Sequence, residues 1–351
     1  MVGIDDVARR AGVSTATVSR ALSGRGQVSA ATRQRVQEAV QALGYVMSSR
    51  ASSLASGRTR NVGVIVPHLD RWFFSTVLSG ISDTLMHAGY DVALYNITDD
   101  EDVRREVFRT ALRRQRVDAA IAVSIRLSDA ETAQLLTLGI PVVAIGGPDS
   151  RLPMLTVDDA AIARLAAGHL LELGHRDVAH IGARPEFDRE FRVPTQRRRG
   201  FEAALAEAGV PVRPDLQEPA DFTIEGGHRA AMRLLDRGPG RPTGIFAASD
   251  EMAVGALLAA RDLGLRVPDD LSVVGVDGHD LGAVVGLTTI DQFPREQGRR
   301  AAEEVLRTLD DAATAAGPAT AVDPAATAVG PATTALPFEL VVRTSTAPPA
   351  R

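Results

Sequence analysis

Ile4-Asp5-Asp6-Val7-Ala8-Arg9-Arg10-Ala11-Gly12-Val13-Ser14-Thr15-Ala16-Thr17-Val18-Ser19-Arg20-Ala21-Leu22 decides how the chain begins to fold. Ile4, Val7, Ala8 and Ala11 recur at helical spacing and share one face. Gly12 ends that helix, since glycine adopts the left-handed conformation of a tight exit without a side-chain clash. Ser14 follows, with a hydroxyl able to accept a free amide at the start of the next helix. Val18 and Leu22 supply the buried stripe of this second helix, and Val13 plugs the corner between the two. Helix, glycine turn and helix within about 20 residues form a helix-turn-helix pattern. Ser29 then caps a third helix with Val36, Val40 and Leu43 on its inner face, stopped by Gly44 and backed by Tyr45.

Thr15, Ala16, Thr17, Ser19 and Arg20 face outward on the second helix. Short side chains there let a backbone approach base edges, and Arg20 can fork onto guanine O6 and N7. The alternative is a solvated helix that merely tolerates small residues. Charge separates the readings. Net charge is −5 over 351 residues, yet residues 1–60 hold nine arginines and three acids, a balance of +6. The remaining 291 residues hold 30 basic and 41 acidic side chains, a balance of −11. A basic head on an acidic body suits a head that meets polyphosphate.

From Val62-Gly63-Val64-Ile65-Val66 onward, strand and helix patterns alternate. Strand-like runs cover 91–95, 117–123, 141–145, 177–181, 243–247 and 271–276; amphipathic helical stretches cover 74–88, 159–173, 195–208, 251–263 and 295–309. Continuous β-branched strands joined by helices imply parallel sheets covered on both faces. The expected fold is an all-α helix-turn-helix head plus an α/β body of two doubly wound parallel-sheet lobes, with a ligand cleft at the carboxyl ends of the strands.

The chain has no cysteine, which removes disulfides, thiolate metal sites and cysteine nucleophiles together. Phosphate-binding glycine loops, a GxSxG elbow and an HExxH helix are absent, so no catalytic residue, metal ligand or cofactor is assigned and an enzyme is the disfavoured reading. No run of apolar residues is long enough to span a membrane. The start MVGIDDVARR lacks a secretory pattern, and the expected location is the cytoplasm. A periplasmic sugar-binding protein would share the body but would need an export signal and would not carry the basic head.

The residues quoted from Ile4 to Leu22, with Val28-Ser29, Thr32-Arg33 and Leu43-Gly44-Tyr45, resemble the signature of the lactose-repressor/galactose-repressor family of bacterial transcriptional regulators. The resemblance continues through Asn61–Pro67, Trp72-Phe73-Phe74, Gly168-His169-Leu170, Gly174-His175-Arg176, Arg197 with Gly200-Phe201, Ala248–Ala256, Ser272–Asp277 and Leu340–Thr346, and extends to periplasmic sugar-binding proteins. It implies a repressor that binds a near-palindromic operator as a homodimer under the control of a small molecule, a mono- or oligosaccharide; release by the ligand is the commoner family behaviour, and co-repression uses the same parts. It assigns Thr15, Ala16 and Arg20 to the major groove and Ser14, Thr17, Ser19 and Ser29 to phosphates. Ser48–Ala55 resembles the family's hinge, with Arg50, Ala51 and Leu54 as DNA contacts and Leu54 as a minor-groove wedge. A helix this short orders only with help from DNA and a partner. Met47-Ser48 stands where the family usually has Pro-Asn, so the rigid start of the hinge is missing.

A sugar offers hydroxyls, which suit carboxylates and guanidinium forks, and an apolar face, which suits an aromatic. Asp277 ends a strand, Arg197 begins a helix, and both match effector-binding positions; a structural salt bridge is the alternative. Trp72, Phe73 and Phe222 match positions where relatives cover the ligand, with core packing as the alternative. Asp250 is assigned to capping the helix at 251–263 rather than to ligand. The expected domains are a DNA-binding head at 1–46, hinge and linker at 47–60, and an effector-binding and dimerisation body at 61–346, with a tail at 347–351. Residues 312–335 nearly repeat an Ala/Thr/Pro/Gly-rich unit without large side chains and are expected to form a disordered loop.

Overall fold

The computed structural model describes residues 2–23, 27–45, 58–97, 101–112, 116–146, 151–184, 192–315 and 333–350. The hinge residues Arg50, Ala51 and Leu54 lie outside them, as does the middle of the 312–335 stretch.

The head contains α1 (Ile4–Ala11), α2 (Thr15–Ser23) and α3 (Ala30–Leu43). Gly12 is left-handed (φ 68°) and its N–H donates to the Ala8 carbonyl, closing α1. Val7, Ala8, Ala11, Val18, Ala21, Val36 and Ala39 form the core, with Ile4, Val13, Leu22, Leu43 and Tyr45 packed around it. Ser14 and Ser29 accept from the amides of Thr17 and Thr32, both at 3.2 Å, so each of these serines closes the start of its helix.

The linker joins the body through Asp118. Its carboxylate accepts from the Thr59 amide at 2.8 Å, the Thr59 hydroxyl at 3.0 Å and the Arg60 amide at 2.9 Å. The first lobe follows as β1 (Asn61–Val66), α4 (Trp72–His87), β2 (Asp91–Asn96), α5 (Glu101–Glu106), β3 (Ala119–Val123), α6 (Asp129–Thr137), β4 (Val142–Ile145) and β5 (Met154–Thr156). The second lobe runs through α7 (Asp159–Glu172), β6 (Val178–Ala183), α8 (Val193–Glu207), β7 (Gln217–Ala220), α9 (Ile224–Leu235), β8 (Gly244–Ala247), α10 (Asp250–Asp262), β9 (Ser272–Asp277), α11 (Asp280–Val285) and β10 (Thr288–Asp291). The chain then returns to the first lobe as α12 (Pro294–Ala315) and β11 (Thr333–Ala335) and ends in the second with β12 (Glu339–Val341).

Each lobe has its own sheet, ordered β11-β5-β4-β3-β1-β2 and β12-β10-β9-β8-β6-β7. The ladders are parallel except at the edge, where β12 runs antiparallel to β10. Central strands are buried on both faces, as in β3 and β9, because helices cover both sides. Between the lobes the chain crosses at 157–158, 292–293 and 336–338.

Two departures from the sequence reading have local causes. Residues 312–315 continue α12, since alanine is the strongest helix former. Thr333–Ala335 pairs in parallel with Met154–Thr156 and extends the first sheet, so both ends of the stretch expected as a loop are regular structure. β5, β7 and β10 carry no apolar run long enough to announce a strand.

α4 and α12 cross so closely that a Cβ on Gly298 would lie 2.1 Å from the Val77 carbonyl oxygen, and one on Gly80 would lie 2.0 Å from that of Arg295. Backbone cannot yield cheaply there. Gly298→Ala is expected to destabilise the body by about 1–3 kcal/mol, measured by chemical denaturation. In the second lobe, His180 packs against Phe201 (5.1 Å) and Phe246 (5.3 Å), whose own rings lie 6.1 Å apart. Its Nε2 has no hydrogen-bond partner among the described residues, and burial pushes its pKa down from 6.5 to about 3. The unfolded chain therefore binds the extra proton first, and stability falls as pH drops from about 6.5 towards about 3. Relative to His180→Leu, the wild type is expected to lose about 1.4 kcal/mol per pH unit inside that window, read from urea unfolding at several pH values.

Candidate functional site

The head presents one polar surface. Ser14, Thr15, Ala16, Arg20 and Ser29 are exposed, while Thr17 and Ser19 are half-buried on the same helix. The Ser14 and Thr17 hydroxyls are 2.9 Å apart, as are those of Ser29 and Thr32. Two helix starts therefore offer hydroxyls beside free amides, an arrangement suited to phosphate oxygens. Arg20 Nε donates to the Ala16 carbonyl at 3.2 Å, which fixes the base of the guanidinium and leaves its forked end outward.

In the body, the crossing strands and the carboxyl ends of both sheets enclose a cavity of about 370 Å³. Four of the five expected residues line it: Phe73, Arg197, Phe222 and Asp277. The second lobe places Arg197 in the first turns of α8, its side chain 6% exposed. Arg197 Nε donates to Asp159 at 2.9 Å, Nη1 donates to the Ala248 carbonyl, and Nη1 lies 3.9 Å from Asp277 Oδ1. One cation thus holds two acids and a strand end together.

Asp277 terminates β9 with φ 129° and is buried. Its Oδ1 accepts from Gln292 Nε2 at 2.6 Å. Burial raises its pKa well above the ordinary carboxylate value, with Arg197 pulling back and Asp250 adding to the rise. Phe222 is also left-handed, with φ 57°. Non-glycine residues held in this region cost about 1–3 kcal/mol each and cluster where ligands bind.

Trp72 departs from expectation. It does not line the cavity. Its ring is stacked on His279 at 4.4 Å, and its Nε1 donates to Asp280 at 3.4 Å. The start of α4 directs the indole across to the loop after β9, where it joins one lobe to the other. Asp250 is likewise displaced from the capping role: Ser249 is the N-cap, its hydroxyl accepting from the Met252 amide at 3.2 Å. One position further, Asp250 points sideways and accepts from the Thr289 hydroxyl and the His279 amide, both at 2.7 Å. Burial pushes its pKa up to about 6.

The sequence reading missed Phe74, Asp159, Glu251, Gln292 and Gln297, which also line the cavity. Asp159 and Glu251 sit in first turns of helices, where an acid reads as dipole chemistry. Gln292 and Gln297 follow a strand the pattern did not reveal. Burial pushes Glu251 up to about 7 despite the Arg71 charge nearby. Among the described residues no group of acids and histidines could hold a metal ion, and no helix is long and apolar enough to cross a membrane.

Residues 3–48 match the description "Bacterial regulatory proteins, lacI family", and residues 167–346 match "Periplasmic binding protein-like domain". Catabolite control protein A of Priestia megaterium is 34% identical over 286 residues, covering 81% of this chain and 85% of that protein. The lac repressor dimer bound to operator and the anti-inducer ONPF superposes with a TM-score of 0.82 at 26% identity, covering 99% of each chain. The CelR–cellobiose complex matches with a TM-score of 0.68 at 28% identity, over 98% of this chain and 100% of that one. Head, two-lobed body and relatives agree: the chain belongs to the lacI family of bacterial regulatory proteins, DNA-binding transcriptional regulators and not enzymes.

Proposed function

We propose that the protein is a cytoplasmic repressor that binds a near-palindromic operator as a homodimer and is released when a sugar enters the cavity between its lobes. The observation that carries the reading is the cavity itself, where Phe73 and Phe222 offer apolar faces while Arg197, Asp277 and Asp159 offer an ionic network. Aromatic faces meet the C–H surface of a pyranose or furanose, and charged oxygens and guanidinium forks meet its hydroxyls. The CelR structure with cellobiose is a relative of the same architecture with a carbohydrate bound.

On the DNA side, Thr15, Ala16 and Arg20 read the major groove, and Ser14, Thr17, Ser19 and Ser29 hold phosphates. Arg50, Ala51 and Leu54 complete the contact from the hinge. Two heads related by two-fold symmetry fit half-sites about one helical turn apart. A ligand shifts the operator equilibrium only by its differential affinity for the two lobe arrangements, about 1.4 kcal/mol for a tenfold preference.

The test is a gel shift with the chain's own upstream DNA against random duplex, with and without ribose, glucose or cellobiose. The wild type is expected to give a specific band that one of these sugars weakens. Arg20→Ala is expected to reduce the preference for the specific fragment, a bidentate guanine contact being worth about 1–3 kcal/mol. Asp277→Ala is expected to raise the sugar concentration needed for release by at least about tenfold. Equal binding to random duplex would refute the operator reading. A band that no sugar alters would refute the effector reading.

A further inference from the structure

Gln297 is 3% exposed, lines the cavity and belongs to α12, which packs on the first lobe. Its Nε2 donates to the Gln292 backbone carbonyl at 2.8 Å. A carbonyl can only accept, so this bond fixes the orientation of the amide and leaves Oε1 as the free end. Gln292, 4% exposed, repeats the arrangement: its Nε2 goes to Asp277 and its Oε1 is left over. Neither oxygen has a hydrogen-bond partner among the described residues, and neither does the carboxylate of Glu251, which lines the same cavity. These oxygens open onto the cavity, where a donor from water or a ligand can meet them.

Part of the donor complement around the cavity is already used. Arg197 has already committed Nε and Nη1 to Asp159 and the Ala248 carbonyl. The Ser249 oxygen accepts a cap bond, leaving its hydroxyl proton to give. Five acids line the cavity, namely Asp158, Asp159, Asp221, Glu251 and Asp277, against Arg71, Arg192 and Arg197. Of these arginines, Arg192 is exposed and Arg71 lies 3.9 Å from Asp70. An added dianion would stand beside carboxylates that burial already makes hard to ionise.

We propose that Gln297 is a specificity residue whose Oε1, with those of Gln292 and Glu251, selects an uncharged, hydroxyl-donating sugar and rejects its phosphate ester. This rests on the carbohydrate reading of the cavity and narrows it. The ligand supplies hydroxyl protons to an acceptor-rich wall, and a phosphoryl group supplies none while adding charge.

Calorimetry on the full-length chain tests it, using ribose, glucose and cellobiose, each beside its own terminal phosphate ester. At least one neutral sugar is expected to bind, with its ester at least about tenfold weaker. Gln297→Leu and Gln297→Met keep the bulk and remove the acceptor together with the Nε2 bond to the Gln292 carbonyl, while Gln297→Glu keeps an acceptor and is expected to bind the neutral sugar more tightly than either. Gln297→Leu and Gln297→Met are both expected to weaken the bound sugar by about tenfold, with thermal melting followed in parallel to establish folding. An ester that binds as tightly as its parent sugar overturns the proposal, as do two folded variants with wild-type affinity; either result leaves the carbohydrate reading standing. Binding of none of the six compounds overturns the carbohydrate reading and this proposal with it. The sugar-against-ester comparison is made on the wild type, so a variant that fails to fold does not remove the test.

Discussion

Arg197 carries a permanent charge into a site where its side chain is 6% exposed. Such burial is tolerated only when the charge is paired and its donors are used. Asp159 at the start of α7, Asp277 at the end of β9 and the Ala248 carbonyl after β8 meet that requirement together. The same pairing fixes the cavity wall, because it draws two helix starts and two strand ends to one point. Removing Arg197 would leave Asp277 buried and Asp159 half-buried without their shared countercharge, so the wall and the site share one support.

From that point the structure extends in one direction through α12. Asp277 is bonded to Gln292 in a crossing strand, and the Gln292 carbonyl is bonded to Gln297 near the start of α12. Near its other end the Leu309 carbonyl accepts from Arg58 at 2.9 Å. The helix between these residues spans about 18 Å at 1.5 Å per residue. One rigid element therefore touches the cavity and holds the root of the linker to the head. Its fit against α4 at Gly80 and Gly298 leaves little room for independent movement.

Most of the fold was legible because it rests on periodicity. The head helices, their serine caps and the left-handed Gly12 follow from local rules that act within one turn. The central strands of both sheets stand out as continuous apolar runs. What escaped is what long-range packing decides. Gln217–Ala220 and Thr288–Asp291 become strands because neighbours pair with them, not because their side chains demand it. The site divides in the same way. Arg197, Asp277, Phe73 and Phe222 were legible through motifs. Gln292 and Gln297 were not, since a glutamine gives no sign of burial until the crossing strands are placed. The place of Trp72 was hidden for a related reason: its position in the chain fits a cavity wall, but the start of α4 aims it at His279.

A cavity shared by two lobes has a consequence for any ligand held in it. Phe73 and Gln297 come from elements packed on the first lobe, and Arg197, Phe222 and Asp277 come from the second. A ligand confined to one lobe would bind both lobe arrangements equally and shift nothing, however tightly it bound. A ligand that contacts both is favoured in one arrangement over the other, and that difference is the whole of its influence. Trp72 on His279, with its bond to Asp280, adds a ligand-independent contact between the lobes. The balance that a ligand must move is therefore set partly by an aromatic stack outside the cavity. The single tryptophan of the chain lies in that stack.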